Sequence, residues 1–395
     1  MSKLSDLEIL NALEIQDHGS SELIIVFSSV NSNGFSFYKS FDGNDASKIF
    51  LRDPFDQWYQ KGINEQIGSV HALADRIKEI KNHLSAKRVV CVGSSMGGYA
   101  ALLFGSLIRA DAVFACSPQT VLDIRLPHTP SVSYDAEEFF DLQPLLWKKQ
   151  RHRPQVHILY GSDDIVDIWN AKRARRLDGD GRYPVAGQDH LAAAAAVASG
   201  DFASTVKALC VGAPVDISLP LDKGVEDPDV EKLVDKIVDA MYFNVNFKKV
   251  AIFAERLSDI RPNWAVPLNV LSVAYAKTGN LPDAVAAAEL ASSLAPKSIT
   301  LATEAASLLL KVKRYDDAKI AFEKCLKLRS KHYAAFCGLG LVYAAKGERE
   351  QAEAMYLKAI DVRPRLQRAR SLLDRLREGS EIVAISQSDI EVEDM

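Results

Sequence analysis

From Val230 to about Leu376 the chain repeats itself every 34 residues, and this period restricts the fold more than any other feature. In the frame that starts at Tyr333, the marked positions are Phe336, Leu339, Gly340, Tyr343, Gly347, Ala352, Tyr356 and Ala359, and Pro364 closes the unit. The frame at 265 gives Leu268, Leu271, Tyr275, Gly279, Ala284, Ala291 and Pro296. The frame at 299 keeps Ala302, Ala305, Leu309, Ala318 and Phe322, with Ser330 at the proline position. The frame at 231 keeps Val234, Ile237 and Pro262 and has lost the small residues. Small residues at the eighth and twentieth positions let two antiparallel helices approach closely. Large residues fill the space between units, and proline ends the second helix. One unit cannot bury both its faces alone, so at least three must stack.

This pattern resembles tetratricopeptide repeat (TPR) arrays, with three good repeats and one degenerate one. The resemblance implies an all-α solenoid with a concave binding surface for a protein partner. Its inward positions would hold Val266, Asn269, Val273 and Ala276, then Thr300, Thr303, Ser307 and Leu310, then Ala334, Cys337, Leu341 and Ala344. These are small and neutral. They lack the Lys and Asn pairs that clamp a C-terminal carboxylate. An apolar helix or an extended segment fits such a groove better.

The first 210 residues have a different rhythm, with short apolar strands alternating with helices. Strands are predicted at Leu23–Phe27, Lys48–Leu51, Arg88–Val92, Ala112–Cys116 and Val156–Tyr160, with a shorter one at Tyr183–Val185. Helical spacing covers Ile63–Leu84 and Gly97–Ile108. Continuous apolar strands separated by helices predict a mostly parallel sheet covered on both faces, an α/β three-layer sandwich. Residues 117–153 read as an insertion over one end of that sheet. Residues 211–229 are rich in Pro, Gly and Asp and read as a linker between a domain at 1–210 and repeats at 230–376. Residues 377–395 read as an acidic solvated tail.

One motif in the first half carries chemistry. Gly93-Ser94-Ser95-Met96-Gly97 follows a buried strand and precedes a helix, the setting of a G-x-S-x-G nucleophile elbow. The turn is tight, so the residues two before and two after the nucleophile must be small. Gly93 and Gly97 meet this around Ser95. Ser94 as nucleophile would place Val92 and Met96 there. A phosphate-binding glycine turn would instead want G-x-G-x-x-G or a Gly-Lys-Ser/Thr ending, and neither is present. The remaining alternative is purely structural, with glycines packing helix on sheet.

A serine nucleophile of this kind needs an acid and then a histidine further along the chain. The strand at 156–160 runs into Gly161-Ser162-Asp163-Asp164-Ile165-Val166-Asp167. Asp164, followed by Ile-Val, is the predicted acid. Asp163 is the alternative, and Asp167 falls inside the next helix. An Asp here can equally cap that helix. Of the eight histidines, His190 alone lies after the acid strand and before the linker. The developing oxyanion would meet the backbone N–H of Met96 and a second N–H, from Ser29 or Val30, in the loop after the first strand.

With these features together, residues 22–210 resemble an α/β-hydrolase domain, trimmed at its leading edge. The resemblance implies a Ser-His-Asp acyl-enzyme mechanism acting on an ester or thioester, as an esterase, deacylase or thioesterase, with no metal and no organic cofactor. Alternatives are a catalytically weak or inactive hydrolase-like scaffold and an acyltransferase using the same serine. A trimmed domain of this kind is also similar to proteins associated with bacterial surface-glycan assembly. The expected partners are a small-molecule or glycan-linked acyl substrate and a protein in the TPR groove.

Composition narrows the partners. Lys plus Arg number 48 against 52 Asp plus Glu, a net charge of −4, which gives no general polycation for nucleic acid. No apolar run reaches the roughly 18–20 residues of a membrane span. The five cysteines are scattered with no C-x-x-C and read as core residues of a reducing compartment, the cytoplasm.

Overall fold

The computed structural model describes residues 12–30, 32, 34–129, 139–148, 152–174, 179–364 and 366–378. The acidic segment 379–395 lies outside them. The chain divides into two compact units, Met1–Val238 and Asp239–Met395.

The first unit is built on a seven-stranded sheet. Its strands are β1 (Leu13–Gln16), β2 (Glu22–Phe27), β3 (Ser47–Leu51), β4 (Arg88–Ser94), β5 (Ala112–Cys116), β6 (Gln155–Gly161) and β7 (Gly181–Val185), in the order β1-β3-β2-β4-β5-β6-β7. Every pairing is parallel except β1 with β3, where Leu13 faces Leu51. The central strands are apolar on both sides because both sides are covered. Ile24, Val26, Val90, Val92 and Phe114 pack with residues of α5 (Ala192–Ser199) and α6 (Asp201–Val211). On the opposite face, Phe27 stacks on Phe104 of α2 (Met96–Leu107), and Gly105 of the same helix lies against Val113 and Cys91. All five cysteines are buried thiols.

The remaining helices of this unit are α1 (Val70–His83), α3 (Gln143–Trp147), α4 (Ile165–Arg173) and α7 (Pro228–Val238). After β2 the chain turns to β3 on one side, and it later returns to β4 on the other side of β2. That reversal places the carboxyl ends of β2 and β4 at a topological switch point, where open α/β sheets bind ligands.

Three features differ from the sequence-based expectation. The leading edge is trimmed less than expected, since it carries a short antiparallel strand, β1, which pairs with β3. Residues 211–229 are not a free linker. Val215, Ile217, Leu219 and Leu221 pack on the sheet core, and Ala186 N–H and Asp222 N–H bond Pro220 and Pro184 carbonyls across the edge of β7. The repeats also do not separate cleanly at 230. Helix α7 packs against α4, with Lys172 paired to Asp235 and Arg182 Nη1 2.7 Å from Glu231 Oε1. The division between units falls inside the first helix of the frame at 231.

The second unit is a helical solenoid. A π-helical turn at Asp239–Phe243 leads to α8 (Phe247–Ile260), α9 (Ala265–Lys277), α10 (Leu281–Leu294), α11 (Ile299–Lys311), α12 (Tyr315–Leu328), α13 (Tyr333–Ala345), α14 (Arg349–Val362) and α15 (Arg368–Arg377). First helices begin at 265, 299 and 333 and second helices at 247, 281, 315 and 349, so the period of the sequence is the period of the structure. Helices approach closely where a Cβ is missing. A methyl at Gly340 would lie 2.3 Å from the Tyr356 ring, and one at Gly338 would lie 2.2 Å from the Phe322 ring.

The expected groove positions are only partly open. Val266, Thr303, Ser307, Leu310, Ala334, Cys337 and Leu341 are buried, Leu310 and Leu341 within the array's own core and Cys337 beside Ala369 of α15. Neighbouring helices cover them: Thr303 meets Cys325 of α12, and α13 packs against α11. Among the described residues, no single helix is long and apolar enough to cross a membrane.

Candidate active site

Ser95 occupies the turn between β4 and α2 with φ 53° and ψ −120°, a left-handed conformation that costs a non-glycine residue energy. The flanking glycines make the turn possible. A Cβ on Gly93 would sit 2.1 Å from the Gly97 carbonyl oxygen, and one on Gly97 would sit 2.2 Å from the Phe27 carbonyl oxygen. The local structure is a tight strand–turn–helix that requires glycine at 93 and 97. Ser95 Oγ stands just before the N-terminus of α2, where free N–H groups and the helix dipole favour negative charge.

His190 lies in the loop after β7. Gly161, at the end of β6, lets that loop pass, since a Cβ there would be 2.2 Å from the carbonyl oxygens of both Gln188 and Asp189. The loop brings His190 Nε2 to 3.0 Å from Ser95 Oγ. The other ring nitrogen, Nδ1, is 2.8 Å from Asp167 Oδ1. A carboxylate only accepts, so the proton resides on Nδ1 and Nε2 is left to accept from the serine hydroxyl. Burial disfavours the imidazolium of His190. The charge and hydrogen bond of Asp167, with the charges of Asp164 and Asp189, outweigh burial and raise the pKa above its ordinary value.

The acid beside His190 is thus Asp167, not Asp164 or Asp163. Asp164 is the N-cap of α4, and its Oδ1 accepts the N–H groups of Val166 (2.8 Å) and Asp167 (3.0 Å). A cap points its carboxylate along its own helix start. Asp167 sits three residues further on, in the first turn, and projects from the helix toward His190. The second oxygen of the Asp164 cap, Oδ2, lies 3.1 Å from His128 Nε2. Burial works against the Asp164 carboxylate. The hydrogen bond and charge of His128, with His190 and the Asp167 N–H, prevail and hold the carboxyl well below the usual range.

The oxyanion candidates are arranged unevenly. Met96 is the first residue of α2. The Ser29 N–H donates to Ser36 Oγ at 3.1 Å, which commits it inside the loop, while Ser29 Oγ donates to the Ser94 carbonyl at 2.7 Å. Val30 is left as the loop's candidate donor. The loop is held from beneath by Tyr59, a fully buried residue whose hydroxyl meets the Ser28 N–H at 2.9 Å. The aromatic stretch at 50–59 therefore packs and supports the loop: Trp58 and Tyr59 are both buried, and Asp53 caps the bend by accepting from the N–H groups of Phe55, Gln57 and Tyr59.

The segment after β5 contributes two residues that no sequence motif marks. Gln119 Nε2 stands 3.4 Å from His190 Nε2, and the His128 ring lies flat on the His190 ring. Thr120 anchors this segment, with its N–H and hydroxyl each 2.7 Å from Asn170 Oδ1 on α4.

The tetratricopeptide repeat family matches residues 301–332 and 333–366. No curated protein matches this sequence. Among solved structures, MamA is 22% identical over 39% of this chain and 84% of its own, with a TM-score of 0.33. MamA from Desulfovibrio magneticus RS-1 is 18% identical over 39% and 88%, with a TM-score of 0.36. A tetratricopeptide repeat protein from Parabacteroides merdae is 22% identical over 38% and 61%, with a TM-score of 0.35. The chain thus joins an α/β unit with a mostly parallel sheet to a helical array of the TPR class. The C-terminal unit carries tetratricopeptide repeats, a module for protein interaction.

Proposed function

We propose that the α/β unit is a serine hydrolase of the α/β-hydrolase kind and that the TPR unit docks it to a protein partner. The observation that carries this reading is the relay from Ser95 Oγ through His190 to Asp167, at 3.0 Å and 2.8 Å. His190 Nε2 takes the hydroxyl proton as Ser95 Oγ bonds to the acyl carbon. Asp167 holds the imidazole in the required tautomer and stabilises its positive charge. The carbonyl oxygen gains the negative charge and is met by the Met96 N–H, with Val30 as the second candidate. His190 then passes the proton to the leaving alcohol or thiol as its bond to the acyl carbon breaks. Water, deprotonated by the same His190, releases the acid and restores Ser95. Acyl groups on small alcohols, thiols or sugars are the substrate classes to assay.

An interaction scaffold with a silent site is the second reading, and the committed Ser29 N–H favours it, because it leaves one loop donor fewer for an oxyanion. Turnover of p-nitrophenyl acetate and butyrate and of an acyl thioester separates the two. Hydrolysis above background by the full chain, lost in Ser95→Ala and His190→Ala, supports the enzyme. A folded wild type with no turnover of any of them supports the scaffold.

A further inference from the structure

The site contains a second His–Asp pair that the relay does not use. The His128 and His190 rings lie 3.8 Å apart between centroids with planes 6° from parallel. His128 Nε2 is tied to Asp164 Oδ2 at 3.1 Å, and the His128 side chain is only 6% exposed. His128 holds this place with φ 64°, a left-handed backbone uncommon for a residue with a side chain. Its Nδ1 is buried with no partner among the described residues. A histidine that merely filled space would need neither the carboxylate nor the strained backbone, and its orphaned nitrogen makes it a poor core residue.

The geometry of His190 shows what a flat neighbour adds. Its hydrogen bonds to Asp167 and Ser95 resist a tilt of the ring about the Cβ–Cγ bond but do not block it. Such a tilt carries Nε2 out of line with Ser95 Oγ and Nδ1 out of line with Asp167. A ring stacked at van der Waals distance blocks the tilt on one side. We propose that His128, anchored by Asp164, is a positioning residue that holds the plane of the His190 imidazole for proton transfer with Ser95. The inference rests on the serine-hydrolase reading above.

The test is the kinetics of inactivation of the full chain by a fluorophosphonate, which separates kinact from KI. His128→Ala is expected to lower kinact at least tenfold with KI within twofold of wild type. His128→Phe, which restores a flat ring against His190, is expected to recover kinact to within threefold of wild type. His128→Leu fills a similar volume without a flat face and is expected to stay slow, so the comparison with Phe holds even where the alanine variant fails to fold. A kinact for His128→Ala within twofold of wild type overturns the inference. So does a loss that falls on KI, or a folded His128→Phe no faster than His128→Leu. A folded wild type that does not react removes the hydrolase reading itself, and the inference falls with it.

Discussion

Asp167 Oδ1 lies 2.8 Å from His190 Nδ1, one helical turn beyond the aspartate that caps the same helix. The two acids divide the work. Asp164 completes the start of α4, and in the proposed relay Asp167 orients His190. Asp167→Asn is therefore expected to lower ester hydrolysis by about 10³–10⁴-fold, because an amide no longer favours the required tautomer. Asp163→Asn is expected to stay close to wild type, and kcat/KM on one p-nitrophenyl ester checks both.

The charge around His190 sets the sign of the pH dependence. In the proposed mechanism His190 acts as neutral imidazole, and its pKa is raised against the effect of burial, chiefly by Asp167. Hydrolysis should rise with pH through a midpoint above the ordinary imidazole value of about 6.5. In Asp167→Asn any residual activity should show a lower midpoint, since the charge that raises it is gone. The same shift makes the His190–Asp167 contact stabilise the fold fully below the unfolded-state pKa, and this contribution is lost as pH rises through the folded-state value.

Close approach at the end of β6 is a second requirement. With Asp189 O and Gln188 O each 2.2 Å from where a Cβ would stand, Gly161→Ala must push the His190 loop outward. Overpacking of this sort costs about 1–3 kcal/mol of stability. A displacement of even 1 Å between base and nucleophile costs about 100-fold in rate. The variant is expected to lose far more activity than stability, measured as kcat/KM against the urea midpoint.

How far the sequence carried depends on what kind of signal each part leaves. Strands β2, β4 and β5 are legible because both faces are buried and their central residues are apolar. Strand β1, Leu13-Glu14-Ile15-Gln16, alternates on an edge and is too short to stand out. Ser95 is legible because two glycines must flank it, and His190 because it is the single histidine in the right interval. Asp167 is not, because the choice among three nearby aspartates depends on where α4 starts, and a one-residue shift in the cap changes which carboxylate points at His190. His128 and Gln119 come from the segment after β5, and only tertiary packing brings them to the site. The helix–helix contacts of the array are legible from small residues, whereas the burial of Thr303, Leu310, Cys337 and Leu341 depends on how neighbouring repeats stack.

In the array, Gly340 sets two effects against each other. Alanine is favoured over glycine in a helix by up to about 1 kcal/mol. A Cβ there meets the Tyr356 ring at 2.3 Å, and that ring is fully buried and cannot swing out. The overpacking cost of about 1–3 kcal/mol should win. Gly340→Ala is expected to lower the melting temperature of the repeat array by a few degrees, read by circular dichroism at 222 nm.

The most direct measurement is mass spectrometry of the full chain after reaction with a fluorophosphonate. One phosphonyl adduct is expected, on the peptide that carries Ser95, absent in Ser95→Ala and strongly reduced in His190→Ala. No adduct on folded wild type, or an adduct at Ser95 that forms equally fast in His190→Ala, would rule out a Ser95 activated by His190.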